Sequence, residues 1–329
     1  MKKNLISLMA LVMAAMVSLV GCSSDIDGSS PSSGGDSFTI GISQLADHPA
    51  LDDARKGFED GLKELGVNAE IKYQNAQGEI PNTFTIAQKF VKDEVDLIFA
   101  IATSAAQAAK QATSEIPIIF SAVTDPVSAE LVDSMESTGG NITGTSDESP
   151  IDRQLQLFKD LDDSIEKVGI IYDTGQSNSP VQIEIAKEIG ATLGIEIIES
   201  GVSSINDIPQ AVDAIMKNVD AIYTITDNTV ASAISIVANK AMENNMITVG
   251  AEESHLNGGI LITDGLSYYE LGKQSARMAK EILVDKKSPS DIPFEKSKNT
   301  TKSFNEETLK ALNLSIDNKA FKDAVKIEE

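Results

Sequence analysis

The polar residues best placed to hold a small ligand stand at the ends of apolar runs. Leu97-Ile98-Phe99-Ala100-Ile101-Ala102 is continuous and apolar, and Thr103-Ser104-Ala105 with an Ala-rich run follows at once. The first piece has the length and branching of a strand buried on both faces, and the second has high helix propensity. A hydroxyl residue between them reads as a helix N-cap. The first N–H groups of that helix have no partner inside it, so Thr103, Ser104 and Ala105 form a candidate anion site. The alternative is an ordinary strand-to-helix turn. Thr226-Asp227-Asn228 repeats the arrangement after the apolar residues 221–225. There Asp227 either caps the following helix or faces a ligand ammonium through a charge-assisted hydrogen bond. Ser177, Asn178 and Ser179 precede Pro180. They either cap a helix with proline near its start or donate to a ligand carboxylate. Gln44, Thr124, Asp125 and Glu252 follow other predicted strands, although Thr124-Asp125-Pro126 also suits a plain turn. A zwitterion needs neighbouring anion and cation sites. Residues 103–105 with Ser177 and Asn178 are candidates for the first, and Asp227 for the second.

These positions make sense only if strands and helices alternate around them. Strands are expected at 38–43, 69–73, 95–102, 116–121 and 141–145, with helices at 50–65, 83–91 and 104–113. After a helix at 149–161 the alternation restarts. Strands are expected at 167–172, 196–200, 221–225, 247–250 and 260–263, and helices at 180–193, 207–216, 229–243 and 268–284. The pattern predicts an α/β chain with two doubly wound parallel-sheet lobes joined by a hinge, and ligands bind at the carboxyl ends of such strands. One lobe takes residues 38–145 with about 264–290, the other 146–263 with about 291–329. The tail, with a helix at 306–312, is expected to pack on the second lobe.

Ahead of this body, Met1-Lys2-Lys3 and the apolar residues 5–20 read as a secretory signal, too short for a membrane-spanning helix. It ends Leu19-Val20-Gly21-Cys22, the pattern of a bacterial lipobox, so 1–21 is read as a lipoprotein signal peptide and Cys22 as the lipidated residue. Residues 22–37, rich in Ser, Gly and Asp, form a flexible tether. Lipid on Cys22 would anchor the chain without spanning the membrane.

Composition then removes whole classes of function. The formal charge of −23 argues against nucleic acid, because phosphate binding needs clustered Lys and Arg. Trp is absent, and the only arginines, Arg55, Arg153 and Arg277, fall in predicted helices. No guanidinium fork is therefore offered to a ligand carboxylate. A single cysteine makes neither a disulfide nor a thiolate metal cluster, and His48 and His255 lie outside any metal-ligand spacing. Both histidines are expected at the surface or in packing roles. The sequence holds no G-x-S-x-G elbow, no G-x-x-x-x-G-K-[ST] loop and no G-x-G-x-x-G fingerprint. The expectation is a binding protein without cofactor or metal, and not an enzyme.

The loops carry a further resemblance. The stretches are Ile40-Gly41-Ile42-Ser43-Gln44 with His48-Pro49-Ala50-Leu51-Asp52, Ala102-Thr103-Ser104-Ala105-Ala106-Gln107, and Phe120-Ser121-Ala122-Val123-Thr124-Asp125-Pro126-Val127. Gly144-Thr145-Ser146-Asp147, Ile171-Tyr172-Asp173 with Ser177-Asn178-Ser179, Thr226-Asp227-Asn228-Thr229 and Gly258-Gly259-Ile260 continue the series. With the lipobox, the chain resembles substrate-binding lipoproteins of ABC transporters, and more narrowly their tryptophan/tyrosine-binding group. The resemblance implies a type I periplasmic-binding fold, three crossovers at a hinge, and closure of the lobes on a ligand. It further implies delivery of an amino acid, an aromatic one such as tyrosine or tryptophan, to a membrane permease with a separate ATPase, from the extracytoplasmic face of a bacterial membrane. The main alternative is a surface adhesin or interaction lipoprotein using an outer face of the same fold. An enzyme, or the effector domain of a transcription factor, is a further alternative; the lipobox and the lack of a basic segment oppose the latter.

Overall fold

Strands and helices alternate in the computed structural model much as the apolar runs predict. It describes residues 37–134 and 138–327, all within the unit Asp36–Glu329. The signal segment, Cys22 and the tether up to residue 36 lie outside the described residues.

The first half of the chain runs β1 (Phe38–Gln44), α1 (Pro49–Glu64), β2 (Ala69–Asn75), α2 (Ile80–Lys92), β3 (Leu97–Ile101), α3 (Thr103–Ala112), β4 (Ile118–Val123) and β5 (Ile142–Ser146). The second begins α4 (Ile151–Leu161), β6 (Lys167–Asp173), α5 (Asn178–Leu193), β7 (Glu196–Val202), α6 (Ile208–Ile215) and β8 (Ala221–Thr224). It goes on through α7 (Asn228–Ser232), α8 (Ile234–Glu243), β9 (Ile247–Gly250), α9 (Ser254–Asn257) and β10 (Ile262–Leu266). The chain then continues α10 (Tyr268–Leu283), β11 (Glu295–Lys296), β12 (Thr300–Phe304), α11 (Glu306–Ala311) and β13 (Val325–Lys326).

Among the described residues one sheet has the order β11-β5-β4-β3-β1-β2 and the other β13-β12-β10-β9-β8-β6-β7. Neighbours are parallel, except that β12 runs antiparallel to β10. Each sheet organises a lobe. The chain passes between the sheets three times: after β5, after β10 and after β11. The last passage falls just beyond Lys296, a few residues later than the expected boundary near 290.

The second passage is fixed by close packing. Helix α10 follows a strand of the second sheet yet lies along α1 of the first lobe. Gly57 and Gly272 allow this. A Cβ on Gly57 would sit 2.0 Å from the Tyr269 carbonyl oxygen, and one on Gly272 would sit 2.1 Å from that of Ala54. No side chain fits either position. Beneath, Phe58 stacks on Phe99 with ring centroids 3.9 Å apart, tying α1 to the fully buried β3.

Two local departures from the sequence pattern have physical causes. The expected helix 229–243 is broken at Ala233, where the Ser232 hydroxyl donates to the Asn228 carbonyl oxygen one turn back. Such back-bonding competes with the helix and bends it. Strand β12 was not foreseen, because only Ser303 and Phe304 of Thr-Thr-Lys-Ser-Phe are buried.

Candidate functional site

Two strand ends of the first lobe are conformationally strained. Ala102 stands at φ 84°, ψ 155°, a backbone setting that glycine ordinarily occupies, and Ala122 has φ 56°. Non-glycine residues in such regions cost about 1–3 kcal/mol each and persist only where surrounding structure imposes them. Here the Ala102 N–H donates to the Ser121 carbonyl oxygen at 2.9 Å, and the β4–β5 register shifts between Phe120 and Val123. Ala102, not a hydroxyl residue, is the N-cap of α3. A methyl cannot accept a hydrogen bond, so no side chain caps that helix. The opening N–H groups at Thr103, Ser104 and Ala105 stay available to an anion, within a first turn whose residues are buried.

The corresponding turn of the second lobe is closed upon itself. Asp227 Oδ1 accepts from the N–H groups of Thr229 (3.1 Å) and Val230 (3.0 Å). Its Oδ2 accepts from the Asp173 N–H (2.8 Å) and the Ser179 hydroxyl (2.7 Å). A carboxylate offers about four lone-pair sites, and all are taken. Burial pushes this carboxyl up against the pull of those donors. Asp227 is thus the cap of α7, and the expectation that it faces a ligand ammonium gives way to its other reading. Asn178 donates to the Thr226 carbonyl oxygen at 2.8 Å, so Asn178 and Ser179 brace the same turn. Ser177 is exposed and makes no side-chain cap.

Two other predicted residues are also satisfied within one lobe. Gln44 donates to the Ala46 carbonyl oxygen and to Asp52, and accepts from Arg55. Asp125 accepts from the N–H groups of Val127 and Ser128 and from the Ser128 hydroxyl, which makes it a turn residue.

Unsatisfied groups collect elsewhere, where the lobes meet. Asp147 follows β5, Glu252 and His255 follow β9, His48 precedes α1, and Tyr268 opens α10; all are buried. The Tyr268 hydroxyl donates to Asp147 Oδ2 at 2.6 Å, leaving Asp147 Oδ1 without a partner. His255 Nδ1 lies 2.9 Å from the Thr224 hydroxyl. Its Nε2 stands 2.8 Å from Glu252 Oε1, an ion-pair distance off the line of a hydrogen bond. Glu252 Oε2 and His48 Nδ1 likewise have no partner.

The electrostatics bind these residues together. Burial drives the Asp147 carboxyl up to about 6, against the nearby hydroxyls of Tyr268 and Thr124 and with the help of Glu252's charge. Burial also pushes Glu252 up, but the imidazoles of His255 and His48 outweigh it and hold that carboxyl below its ordinary value. Of this cluster only Glu252 was singled out from sequence as a ligand residue. The histidines, expected at the surface or in packing, lie in the seam. Asp147 stood within a quoted motif, but nothing local in Ser146-Asp147-Glu148 distinguishes it from a turn.

The lobes touch through side chains on either flank of the cluster. His48 Nε2 lies 3.2 Å from Asn228 Oδ1, and the hydroxyls of Thr124 and Thr226 are 3.3 Å apart. Thr124 is thereby the predicted residue that does reach across.

Comparison with known proteins places this geometry in context. Residues 39–328 match the family described as ABC transporter substrate binding protein. A protein of Clostridioides difficile (strain R20291) named tyrosine-binding protein is 41% identical over 329 aligned residues, spanning 96% of this chain and 95% of that one. A Streptococcus pneumoniae ABC domain solved in complex with L-tryptophan is 29% identical, covers 89% of this chain and all of its own, and superposes with a TM-score of 0.85. The ligand-free, open structure of a substrate-binding protein with adhesive properties from Clostridium difficile is 39% identical, over 88% of this chain and 99% of that one. Its TM-score is only 0.68. The more similar sequence has the less similar shape. The chain as a whole superposes better on the tryptophan complex than on the open structure.

Proposed function

This chain belongs to the ABC transporter substrate-binding protein family, and from that premise we propose that it captures a free aromatic amino acid, tyrosine or tryptophan, between its lobes. The observation that carries this reading is the pair of buried carboxylates, Asp147 and Glu252, one from each lobe and each with a bare oxygen. Two desolvated like charges in mutual range are unfavourable unless a cation joins them. An α-ammonium is such a cation, and its donors reach both lobes only when these have closed. The ligand carboxylate then has the uncapped start of α3, where N–H groups and helix dipole favour an anion. A neutral sugar brings neither charge. The tyrosine-binding relative and the tryptophan complex support an aromatic side chain.

Calorimetry on the purified chain tests the charge assignment directly. L-tyrosine or L-tryptophan should bind. The analogue 3-(4-hydroxyphenyl)propionate, which lacks the ammonium, should bind about a hundredfold more weakly or not at all, since a hydrogen bond to a charged group contributes roughly 1.5–3 kcal/mol. Equal affinity for the deaminated analogue would sink the proposal.

As a component of an importer, the chain would pass its ligand to a permease driven by an ATPase. It would sit on the outer face of a bacterial membrane through lipid on Cys22. Leu19-Val20-Gly21-Cys22 motivates that anchor. Fatty-acid labelling should be lost in Cys22→Ser, and persistent labelling would exclude the site. A second reading is favoured by the relative described as having adhesive properties. On that reading an outer surface of this fold serves attachment independently of the cleft; host-cell attachment that survives loss of ligand binding would support it, and attachment lost with the cleft would oppose it.

A further inference from the structure

We infer that His48 Nδ1 is a third acceptor for the ligand ammonium, beside Asp147 and Glu252, so that capture requires His48 to be neutral and weakens on acidification. The inference rests on the reading of the cleft given above and adds to it a specificity-determining residue.

The tautomer of His48 follows from a chain of hydrogen bonds that starts in the other lobe. Asp173 Oδ2 can only accept, so the Thr229 hydroxyl, 2.6 Å away, donates to it. Thr229 Oγ1 then accepts from Gln176 Nε2 at 2.9 Å, which directs Gln176 Oε1 to Asn228 Nδ2 at 2.5 Å. Asn228 must therefore present Oδ1 to His48, and His48 Nε2 must carry the proton of that 3.2 Å bond. A neutral imidazole has one N–H, so Nδ1 is left as a bare lone pair. It is buried and has no donor.

Besides His255 Nε2, which stands against Glu252 Oε1, the seam holds Asp147 Oδ1, Glu252 Oε2 and His48 Nδ1 as acceptors without a donor. Asp147 and His48 both interact electrostatically with Glu252. A primary ammonium has three N–H donors, one for each of these three acceptors. Protonated His48 would offer a donor where an acceptor is needed, and would place a second positive charge beside the ammonium. The groups facing His48 are Asn228, Glu252 and His255 from the other lobe and Asp52 on α1. Burial, the strongest influence, disfavours the imidazolium more than the carboxylates of Glu252 and Asp52 favour it.

The sign of the pH effect follows. Burial in the seam holds His48 below its ordinary value of 6.5, and opening the seam to solvent would relieve that burial. Closure therefore releases a proton once the pH falls below that value, and affinity declines there by up to about tenfold per pH unit. The ligand stays zwitterionic across this range and contributes no slope, whereas Asp147, raised to about 6, adds one of the same sign.

The test is calorimetric titration of the full chain with L-tyrosine between about pH 7.5 and about pH 5.5, on wild type, His48→Gln and Asn228→Ala. Wild type should lose about tenfold in affinity over that range. His48→Gln should bind more weakly at the higher pH and lose the part of the slope that His48 contributes, keeping the part that comes from Asp147. Asn228→Ala removes the interlobe bond yet keeps Nδ1, so it should retain the slope. A flat wild-type profile overturns the inference without any variant, as does an unaltered slope in a folded His48→Gln. Absence of amino-acid binding to wild type at about pH 7.5 would instead overturn the reading of the cleft itself.

Discussion

The strand ends of this molecule carry buried carboxylates in two opposite conditions. After β8, Asp227 receives four donors, two on each oxygen, all from its own lobe. After β5 and β9, Asp147 and Glu252 each keep an oxygen with no hydrogen-bond partner in the protein. Position in the fold is equivalent, and so is the residue chemistry. The difference lies in whether the surrounding turn supplies its own N–H groups. A turn that does so makes a cap; a turn that does not leaves a demand to be met from outside. The same contrast separates α7, capped by Asp227, from α3, which starts at a methyl.

Charge-removing, isosteric substitutions at the two places should have opposite consequences, and the largest concerns binding. Asp147→Asn keeps an acceptor for the Tyr268 hydroxyl but removes the charge that faces the ammonium. Affinity for L-tyrosine should fall about a hundredfold, with Glu252→Gln behaving similarly. The unliganded protein should become no less stable. Because the Asp147 carboxyl is raised from 3.8 to about 6, its ionised form opposes folding fully above about 6, and that penalty disappears below 3.8. The stabilisation by Asp147→Asn should therefore be seen near neutral pH and vanish in acid. Thermal denaturation with and without ligand at two pH values checks both halves. Unchanged affinity would remove Asp147 from the site.

Asp227→Asn should do the reverse. The amide nitrogen would face two of the four donors and leave buried groups unsatisfied, a cost of roughly 1–3 kcal/mol in stability. Affinity of the folded fraction for L-tyrosine should change little. Denaturant unfolding monitored alongside calorimetry distinguishes the two readings of Asp227 that the sequence left open. A large affinity loss with full stability would restore its ligand role.

Those predictions also mark where the sequence was informative. Strands buried on both faces are written as uninterrupted apolar runs, so β3, β4, β6 and β8 were legible, and with them the two-sheet architecture. Strand β12 was not, because its burial comes from pairing with β10 rather than from its own side chains. In the site, the opening of α3 could be read from small residues after a strand, and Glu252 from its place after β9. Asp227 could be located but not assigned, since a cap and a ligand carboxylate share one local pattern. Asp147 and His48 were passed over because their role comes from convergence across the seam. Residues so far apart in sequence leave no local signature of meeting.

The smallest expected effect belongs to the neutral hydroxyl contact that joins the lobes on the flank of the charges. The Thr226 hydroxyl donates to Gln182 Oε1 at 2.8 Å, so in the pair with Thr124 it is the acceptor and Thr124 the donor. Thr226→Val removes that acceptor with little change of shape. Gln182 Oε1 still accepts from the backbone N–H of residue 226 at 3.1 Å and is not orphaned. What is lost is one neutral hydrogen bond between lobes, a net contribution of roughly 0.5–1.5 kcal/mol. Because the bond exists only after closure, the loss should appear as about two- to tenfold faster ligand release, with the association rate nearly unchanged. Stopped-flow measurement of both rates with L-tyrosine would resolve the effect. A slower association with normal release would mean that the hydroxyl pair forms before the cleft shuts, and that closure begins on this flank rather than at the carboxylates.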